Sequence, residues 1–473
     1  MNDITAIFAF LKYCLGYKRN MSRMIAGMDW QELYSFASKQ ALLGLCFEGI
    51  ERLGKEYSEE LRLNPIGREL LMTWMGKAQQ IRRQNMKVNA VASKLYSMLR
   101  EDGLRCCILK GQGNALIYPN AYSRNPGDID VWVNASRERI MEYAQKKFEL
   151  GDDIRLQHLE TSLDGVPVEL HFFPCSMNNP IYHARLQKWF RRNADLQCSH
   201  IVGLPDGAGD IAIPTTAFNV VYQLAHLYHH FFDEGIGMRQ IIDYYYVVCD
   251  FYKVYQNSSK ITPSLFFDKA SCTRQFESEL SLHSLASLFP LKEGSTSHPD
   301  PLTLRGEGGN RPTRCSEPLR SKDGGPSKVS PDCAGWDRLS IEGDNSAGST
   351  TVVTSYASTA LDVAQRELKY LGLWKFAGAV MYVLKEVLGL SEDKMIVPVD
   401  EKRGRLLLAE ILDGGNFGRH FSKYGGFTHQ SMGKKYFLKI WRNMHFVRYY
   451  PAEALCEPLF RTWHFFWRLK YKK

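Results

Sequence analysis

The sequence predicts an α+β fold, in which a small sheet with helices lies between helical N-terminal and C-terminal regions. Strand patterns, meaning short apolar runs and strict alternation of apolar and polar residues, are concentrated in 105–205. Before and after that segment, apolar residues recur every three or four positions, which is the spacing of one helix face. With 44% hydrophobic and 23% charged residues, the chain has the composition of a globular protein that buries a core.

These patterns divide the 473 residues into five segments. We predict a helical N-terminal region at 1–104, the core at 105–205, a helical region at 206–290, a disordered linker or insertion at 291–352, and a helical C-terminal region at 353–473. The fourth segment is rich in Gly, Pro, Ser and charged residues and has no apolar periodicity. Such a composition buries too little apolar surface to offset the entropy that ordering costs.

The core opens with a predicted strand and a turn that contains glycine. Cys106–Leu109 is a short apolar run typical of a buried strand. The four residues after it are Lys110, Gly111, Gln112 and Gly113. Because glycine has no side chain, the backbone N–H groups beside it can approach a ligand closely. We therefore expect this turn to bind a phosphate group.

Two acidic residues follow on the next predicted strand, Gly127–Val133. Side chains of a strand point to alternate faces with a period of two, so Asp128 and Asp130 share one face. Two neighbouring carboxylates repel each other unless a cation lies between them. The pair therefore predicts a divalent cation with oxygen ligands, Mg²⁺ or in its place Mn²⁺.

A hairpin supplies a third carboxylate. The dipeptide Asp164-Gly165, between two strand-like segments, favours a two-residue turn with positive φ at both positions. If this dipeptide is the loop, His158 is paired with His171, and Glu169 lies on the same face as His171. The hairpin then presents Glu169 between two imidazoles, and Glu169 completes a set of three carboxylates for two metal ions.

These residues resemble motifs of the DNA polymerase β-like nucleotidyltransferase superfamily and, more narrowly, of an uncharacterised bacterial nucleotidyltransferase family. The matching motifs are Leu109-Lys110-Gly111, Tyr118-Pro119, Arg124, Asp128-Ile129-Asp130 and Glu169-Leu170-His171. Their order, spacing and strand context agree with the family. One departure is Gly111-Gln112-Gly113, where the superfamily usually has Gly-Ser or Gly-Gly. The resemblance implies a polymerase β-like core, which is a small mixed sheet with helices.

The resemblance also implies metal-dependent transfer of an NMP from an NTP, such as ATP, to an acceptor hydroxyl. Asp128, Asp130 and Glu169 would then be the catalytic residues and the metal ligands. The residues expected around the nucleotide are Lys110, Gly111, Gln112, Gly113, Arg124 and His171. The acceptor stays open among RNA, a protein hydroxyl, a sugar and a small molecule.

Three further polar residues have two interpretations each. Arg124 suits phosphate, because its guanidinium can donate two parallel hydrogen bonds, or it forms a salt bridge with a carboxylate. Arg239 and Asp243 lie one turn apart on a predicted helix. They either pair with each other or reach the nucleotide.

A histidine cluster precedes them. His226, His229 and His230 have the spacing of one helix face, and Asp233 follows. This group could bind a transition metal. The spacing is a weaker signal than HExxH, because no second anchored cluster accompanies it.

The cysteines and the N-terminus bear on the compartment. The chain has 11 cysteines without a CxxC pair, which is more typical of reduced core residues than of a disulfide framework. The first 20 residues place an acidic residue before a short apolar run and basic residues after it, the wrong order for a secretory signal. Without a long apolar stretch as well, we expect a cytoplasmic protein with no transmembrane segment.

The tail at 433–473 is basic and aromatic. It holds ten Lys or Arg residues, two Glu residues and twelve aromatic residues. Such a tail either makes weak contacts with a polyanion or a membrane surface, or packs its aromatic face on the domain. The alternative function is accordingly a non-catalytic protein of the same fold that binds nucleotide, RNA or a membrane surface. The three acidic residues favour the enzyme, because clustered carboxylates serve no purpose without a cation.

Overall fold

The computed structural model describes most of the chain. The described residues are 3–18, 20–150, 155–256, 360–421 and 432–471. All of them fall within one of the chain's two units, the one formed by 1–269 and 349–473. The predicted linker or insertion at 291–352 lies outside the described residues.

A four-stranded mixed sheet forms the centre of the core. Its strands are β1 (Cys106–Leu109), β2 (Ile129–Val133), β3 (His158–Leu163) and β4 (Val166–His171). Their order is β1-β2-β4-β3, with β2 parallel to β4 and the other two pairs antiparallel. A separate antiparallel pair consists of β5 (Ile201–Gly203) and β6 (Asp210–Ala212). The predicted small mixed sheet is therefore confirmed.

Helices precede and follow this sheet. Those before it are Asp3–Cys14, Ser22–Ala26, Trp30–Lys39, Leu43–Glu56, Ser58–Leu63 and Arg68–Glu101. Those within and directly after the core are Gly111–Ala115, Arg137–Lys147, Pro180–Gln197, Thr216–Asp233 and Met238–Gln256. The later ones are 360–370, Trp374–Glu386, Glu401–Gly414, Met432–Met444, Pro451–Ala454 and Glu457–Tyr471. None of the described helices is both long enough and apolar enough to span a membrane.

The β3–β4 hairpin has the turn and the register that the sequence predicts. Asp164 and Gly165 have φ angles of 50° and 71°, as a two-residue turn with positive φ at both positions requires. His158 lies opposite His171, and Leu163 lies opposite Val166. Since a slip of one residue would move every side chain to the other face, this turn fixes which residues of β4 face the site.

One face of the sheet packs on the long helix that precedes it. Ile129 and Val131 of β2 and Val168 and Leu170 of β4 are buried there against the helix Arg68–Glu101. The residues between them point to the opposite face, because strand side chains alternate. Burial of this apolar face therefore determines that Asp130 and Glu169 point the other way.

The opposite face combines apolar packing with the polar residues of the site. On β2, Trp132 packs beside Asp130, with its ring 6.0 Å from Phe190 and 6.2 Å from Phe218. These phenylalanines belong to two of the helices that follow the sheet. Aromatic packing therefore covers one end of this face and leaves the end near Asp130 to polar side chains.

Buried polar contacts attach the C-terminal helices to the helix Thr216–Asp233. The Arg442 guanidinium lies 3.2 Å from the Glu410 carboxylate and donates a 2.9 Å hydrogen bond to the Phe231 carbonyl. Asn443 donates to the Phe232 carbonyl at 2.7 Å. These bonds satisfy carbonyls in the last turn of that helix, which have no partner within the helix itself.

Two further cations of the predicted basic tail contact one carboxylate of this helix. Lys439 and Arg461 lie 3.2 and 3.1 Å from the Asp233 carboxylate. Part of the tail's positive charge is therefore neutralised within the protein, whereas the packing interpretation left these cations in water. The aromatic residues do not all pack, because Phe437 is 70% exposed and Phe466 is 64% exposed.

A buried glutamate links the C-terminal region to the segment after β4. The Glu453 carboxylate accepts hydrogen bonds from the backbone N–H groups of Asn178 and Asn179, the second at 3.2 Å. Burial raises the pKa of Glu453 from 4.5 to about 7, although both bonds oppose this shift. The folded protein therefore retains a proton over a pH range in which the unfolded chain releases it.

This shift predicts a loss of stability as pH rises. Between about pH 4.5 and about pH 7 the folded state binds more protons at Glu453 than the unfolded state, so its free energy of unfolding should fall. Denaturant unfolding across this pH range gives the free energy of unfolding of the wild type and of Glu453→Gln. The pH dependence that the wild type shows and the variant lacks is the contribution of Glu453. The exposed Glu69 supplies the control variant, Glu69→Gln. Parallel pH profiles of wild type and Glu453→Gln would contradict the prediction.

Candidate active site

The predicted carboxylates line one cavity of about 500 Å³. Asp128, Asp130 and Glu169 are in its wall, together with Lys110 and Arg124. The cavity lies on the polar side of the sheet, where β2 and β4 run side by side. The structure therefore brings together residues that lie up to 59 positions apart in the sequence, from Lys110 to Glu169.

Strand pairing positions the three carboxylates. In the parallel ladder of β2 and β4, Asp130 lies directly opposite Glu169. Asp130 is buried, Glu169 is half-buried and Asp128 is exposed at the cavity. The strand begins at Ile129, so Asp128 comes one residue before it and is not part of the ladder. Its carboxylate nevertheless faces the same cavity as the other two.

Mutual repulsion of these carboxylates is visible in the ionisation of Asp128. The negative charge of Asp130, together with burial and with the charge of Glu169, raises the pKa of Asp128 to about 6. Asp130 behaves in the opposite way. Burial alone would raise its pKa, but the Lys110 ammonium and the His171 imidazole lower the pKa of Asp130 well below its usual range. Lys110 Nζ and His171 Nε2 each lie 2.9 Å from Asp130 Oδ1.

The two histidines of the hairpin flank Glu169, as predicted. His171 Nε2 lies 3.2 Å from Glu169 Oε2, and His158 Nδ1 lies 3.3 Å from the same oxygen. Burial opposes protonation of His171, but hydrogen bonds to Asp130 and Glu169 raise its pKa to about 9. His158 is different, because burial lowers its pKa to about 2. Both ring nitrogens of His158 are buried and lack a hydrogen bond.

These donors fit a divalent cation. Within the part of the chain that the structure describes, His158, Glu169 and His171 are the one group of three whose ligand atoms lie within 4.8 Å of one another. The carboxylates of Asp128 and Asp130 face the same cavity. Carboxylate oxygens suit Mg²⁺ and Mn²⁺, and imidazole nitrogens suit Mn²⁺ and Zn²⁺. A buried imidazole that makes no hydrogen bond and lies beside a carboxylate also has a physical reason to bind a cation.

The histidines of the helix Thr216–Asp233 line the cavity without forming such a group. Lys110 Nζ lies 2.7 Å from His226 Nε2, which in turn lies 3.0 Å from His230 Nε2. Asp233, the fourth ligand considered in the sequence, contacts Lys439 and Arg461. Among the described residues, no three-ligand group occurs at these histidines. Their place in the structure is beside Lys110.

Arg124 has a partner that the sequence did not indicate. Its Nε and Nη2 atoms each donate a 2.8 Å hydrogen bond to Asp243, and both residues are buried. Tyr118 donates a third bond to Asp243 at 2.6 Å. Burial alone would raise the pKa of Asp243, but the Arg124 guanidinium lowers it. Asp243 therefore pairs with Arg124 instead of Arg239.

Arg239 is left with few hydrogen bonds of its own. Its Nη1 donates to the Asn125 carbonyl at 3.1 Å, and its buried Nε has no hydrogen-bond partner. The side chain is 8% exposed and lines the cavity. A buried guanidinium with open donors is suited to an anion that enters the cavity.

Only half of the predicted phosphate-binding turn reaches the cavity. Lys110 and Gly111 line it, whereas Gln112 and Gly113 do not. The Gln112 side chain is buried and donates to Asn89. Gly113 is packed so closely that a Cβ there would lie 3.0 Å from the Ile213 side chain. The helix Gly111–Ala115 turns both residues away from the cavity, so their contact with the nucleotide stays a prediction.

Lys110 has an unusual backbone conformation. Its φ is 52° and its ψ is −128°, a combination that a residue with a side chain rarely adopts. Strained residues of this kind persist where the surrounding structure holds them, and they cluster at functional sites. Here the conformation accompanies a lysine whose ammonium reaches both Asp130 and His226.

The cavity also has residues from the C-terminal region, which sequence reasoning missed. They are Phe417, Gly418, Arg419 and Lys439. The helix before them ends at Gly414, and Gly415 follows with a φ of 63°. In the sequence, the one signal for this approach of two backbones is the group of glycines Gly414, Gly415 and Gly418.

Comparison with known proteins agrees with this geometry. Residues 26–261 match the model of a family described as uncharacterised nucleotidyltransferase. The matched segment is about half of the chain and contains the sheet and the three carboxylates. No curated protein and no solved structure matches the chain. Through residues 26–261, the chain therefore belongs to this family of uncharacterised nucleotidyltransferases, as the sequence motifs predict.

Proposed function

We propose that this protein transfers an NMP from an NTP to an acceptor hydroxyl, with the help of a divalent cation. Membership of the family supports nucleotidyl transfer in general. The observation that carries the finer proposal is the placement of Asp130 opposite Glu169 on parallel strands, with Asp128 at the same cavity. Three carboxylates that repel one another at a cavity gain stability from a cation, and that cation is what the reaction requires.

Asp128, Asp130 and Glu169 would hold the cation, Mg²⁺ or Mn²⁺. When bound, it supplies the positive charge that activates an acceptor hydroxyl and neutralises the α-phosphate and the leaving pyrophosphate. His171 orients two of these ligands, because its Nε2 lies 2.9 Å from Asp130 and 3.2 Å from Glu169. In the cation-free protein, an imidazolium in that position keeps both carboxylates turned towards the cavity.

Lys110 and Arg239 would bind the triphosphate. Lys110 neutralises Asp130 in the structure, and its ammonium is close enough to the carboxylates to serve a phosphate bound between them. Arg239 lines the cavity with an open Nε donor. Arg124 also lines the cavity, but two of its donors already bind Asp243. We therefore propose two roles for Arg124. It supports the cavity wall, and its positive charge contributes to the electrostatic attraction of the phosphates.

The alternative is a protein that binds nucleotide, RNA or a membrane surface without transfer. One observation favours it. Phe437 and Trp441 on the helix Met432–Met444 are 70% and 63% exposed, in a stretch that also contains Lys434. Exposed aromatic residues next to cations are typical of surfaces that meet membranes or single-stranded nucleic acid.

A labelling experiment separates the two functions. The purified protein is incubated with each of the four NTPs labelled at the α-phosphate, with Mg²⁺ or Mn²⁺ and a cell lysate. Compared with lysate that lacks the protein, we expect additional label in an acceptor molecule, and no additional label when the label is at the γ-phosphate, because pyrophosphate leaves. Sensitivity of the product to ribonuclease or protease identifies the acceptor class. Nucleotide binding without label transfer, with either cation, would favour the alternative.

A further inference from the structure

Phe417 lies in an otherwise polar part of the cavity wall. Apart from glycines and Leu227, it is the one apolar residue that lines the cavity among the described residues. Its half-buried ring lies 5.3 Å from the ring of His230, and the Arg239 guanidinium lies 5.4 Å from its centre. A flat aromatic face thus lies beside a cation that we assign to the triphosphate.

The backbone of Phe417 is strained. Its φ of 54° and ψ of 31° place it in the left-handed region, which is costly for a bulky residue. The neighbouring chain holds it there, because a Cβ on Gly418 would lie 1.9 Å from the Glu234 carbonyl oxygen. On the other side of the same contact, a Cβ on Gly237 would lie 2.7 Å from the Asn416 Cα. Strain retained in so tight a packing suggests that the position of the ring has a function.

A chain of contacts connects this ring to the carboxylates. Phe417 touches His230, His230 lies 3.0 Å from His226, His226 lies 2.7 Å from Lys110, and Lys110 lies 2.9 Å from Asp130. Along the wall, the order is therefore aromatic ring, imidazoles, cation and carboxylates. An NTP has its groups in the matching order, which is base, ribose, phosphates and bound cation.

From this order we propose that the Phe417 ring is the surface on which the base of the bound NTP stacks. This inference rests on the proposed function. Every base has a π-face, so stacking tolerates all four bases and favours the larger purines. Phe417 lies outside residues 26–261, so the base would be bound by a part of the chain that the family match does not include.

The test compares ligands with and without a base. Binding of ATP and of inorganic triphosphate is measured by titration calorimetry in the presence of Mg²⁺, for the wild type and for Phe417→Leu. We expect Phe417→Leu to weaken ATP binding by roughly tenfold or more and to leave triphosphate binding unchanged, because only ATP has a base to stack. Phe417→Trp should retain ATP affinity. The matched control is Phe437→Leu, on an exposed phenylalanine of another helix.

A glycine variant excludes misfolding as the cause. Since glycine adopts positive φ without strain, Phe417→Gly should melt at the same temperature as the wild type or higher, and still bind ATP more weakly. Wild-type ATP affinity in Phe417→Leu would overturn the inference, as would an equal loss of ATP and triphosphate affinity. Wild-type protein that binds ATP but transfers no label would count against the proposed function alone. Wild-type protein that binds neither ligand would overturn both.

Discussion

Replacement of Asp128 by Asn should lower NMP transfer by at least about a hundredfold and leave the protein folded, because one charged ligand of the cation is lost from the reacting centre. Asp128 precedes β2, so no strand pairing depends on it. The measurement is label transfer from an α-labelled NTP with Mg²⁺ present, with variant and wild type at equal protein concentration.

The same variant has a distinct effect on stability. The charge of Asp130 raises the pKa of Asp128 to about 6, so the ionised Asp128 carboxylate destabilises the cation-free protein above that pH. In EDTA at neutral pH, Asp128→Asn should therefore melt at the wild-type temperature or higher, and the difference should vanish below about pH 4. Added Mg²⁺ should raise the melting temperature of the wild type more than that of the variant.

Two further carboxylate variants serve as comparisons for Asp128→Asn. Glu142→Gln removes an exposed carboxylate from the helix Arg137–Lys147 and should transfer label at the wild-type rate. Asp130→Asn should also lose transfer, but with lower stability, because Lys110 and His171 lose their shared partner. Full transfer by Asp128→Asn in the presence of Mg²⁺ would remove this residue from the assigned site.

The Asp243→Ala variant should lose about 3–5 kcal/mol of stability, because it leaves the Arg124 guanidinium buried without its carboxylate. Arg124 is 4% exposed and donates two 2.8 Å bonds to Asp243, so the variant leaves two donors of a buried cation without their acceptor. Tyr118 loses a hydrogen bond in the same variant. Denaturant unfolding of wild type and variant at neutral pH measures the difference in the free energy of unfolding.

The double variant Arg124→Met with Asp243→Leu removes both charges and keeps side chains of similar size, so it distinguishes the effect of an unpaired charge from the effect of lost packing. Replacement of both ions by apolar side chains of similar size is often close to neutral for stability. We therefore expect the double variant to recover most of the stability that Asp243→Ala loses. If the double variant is as unstable as Asp243→Ala, the packing around the pair, and not the unpaired charge, determines the loss. Its affinity for inorganic triphosphate then reports how much Arg124 contributes to anion binding.

The sequence by itself determined the features that depend on neighbours along the chain. Alternation in β2 and β4 and the turn at Asp164-Gly165 were enough to predict the strands, the register of the hairpin and the face that Glu169 and His171 share. Strand periodicity and turn geometry are local properties, so a single sequence reveals them. The motifs built on these strands were also enough to indicate the family.

Only the tertiary structure decided which distant residues complete the site. Asp243 follows Arg124 by 119 positions, and no local pattern shows that a guanidinium will prefer this carboxylate to that of a nearer residue. The Gln112 side chain does not line the cavity for the same reason, since its partner Asn89 belongs to a helix packed behind the turn. Phe417 entered the site because glycines on two segments allow their backbones to touch. Contacts of this kind depend on how helices pack in three dimensions, and residue spacing along the chain does not encode that packing.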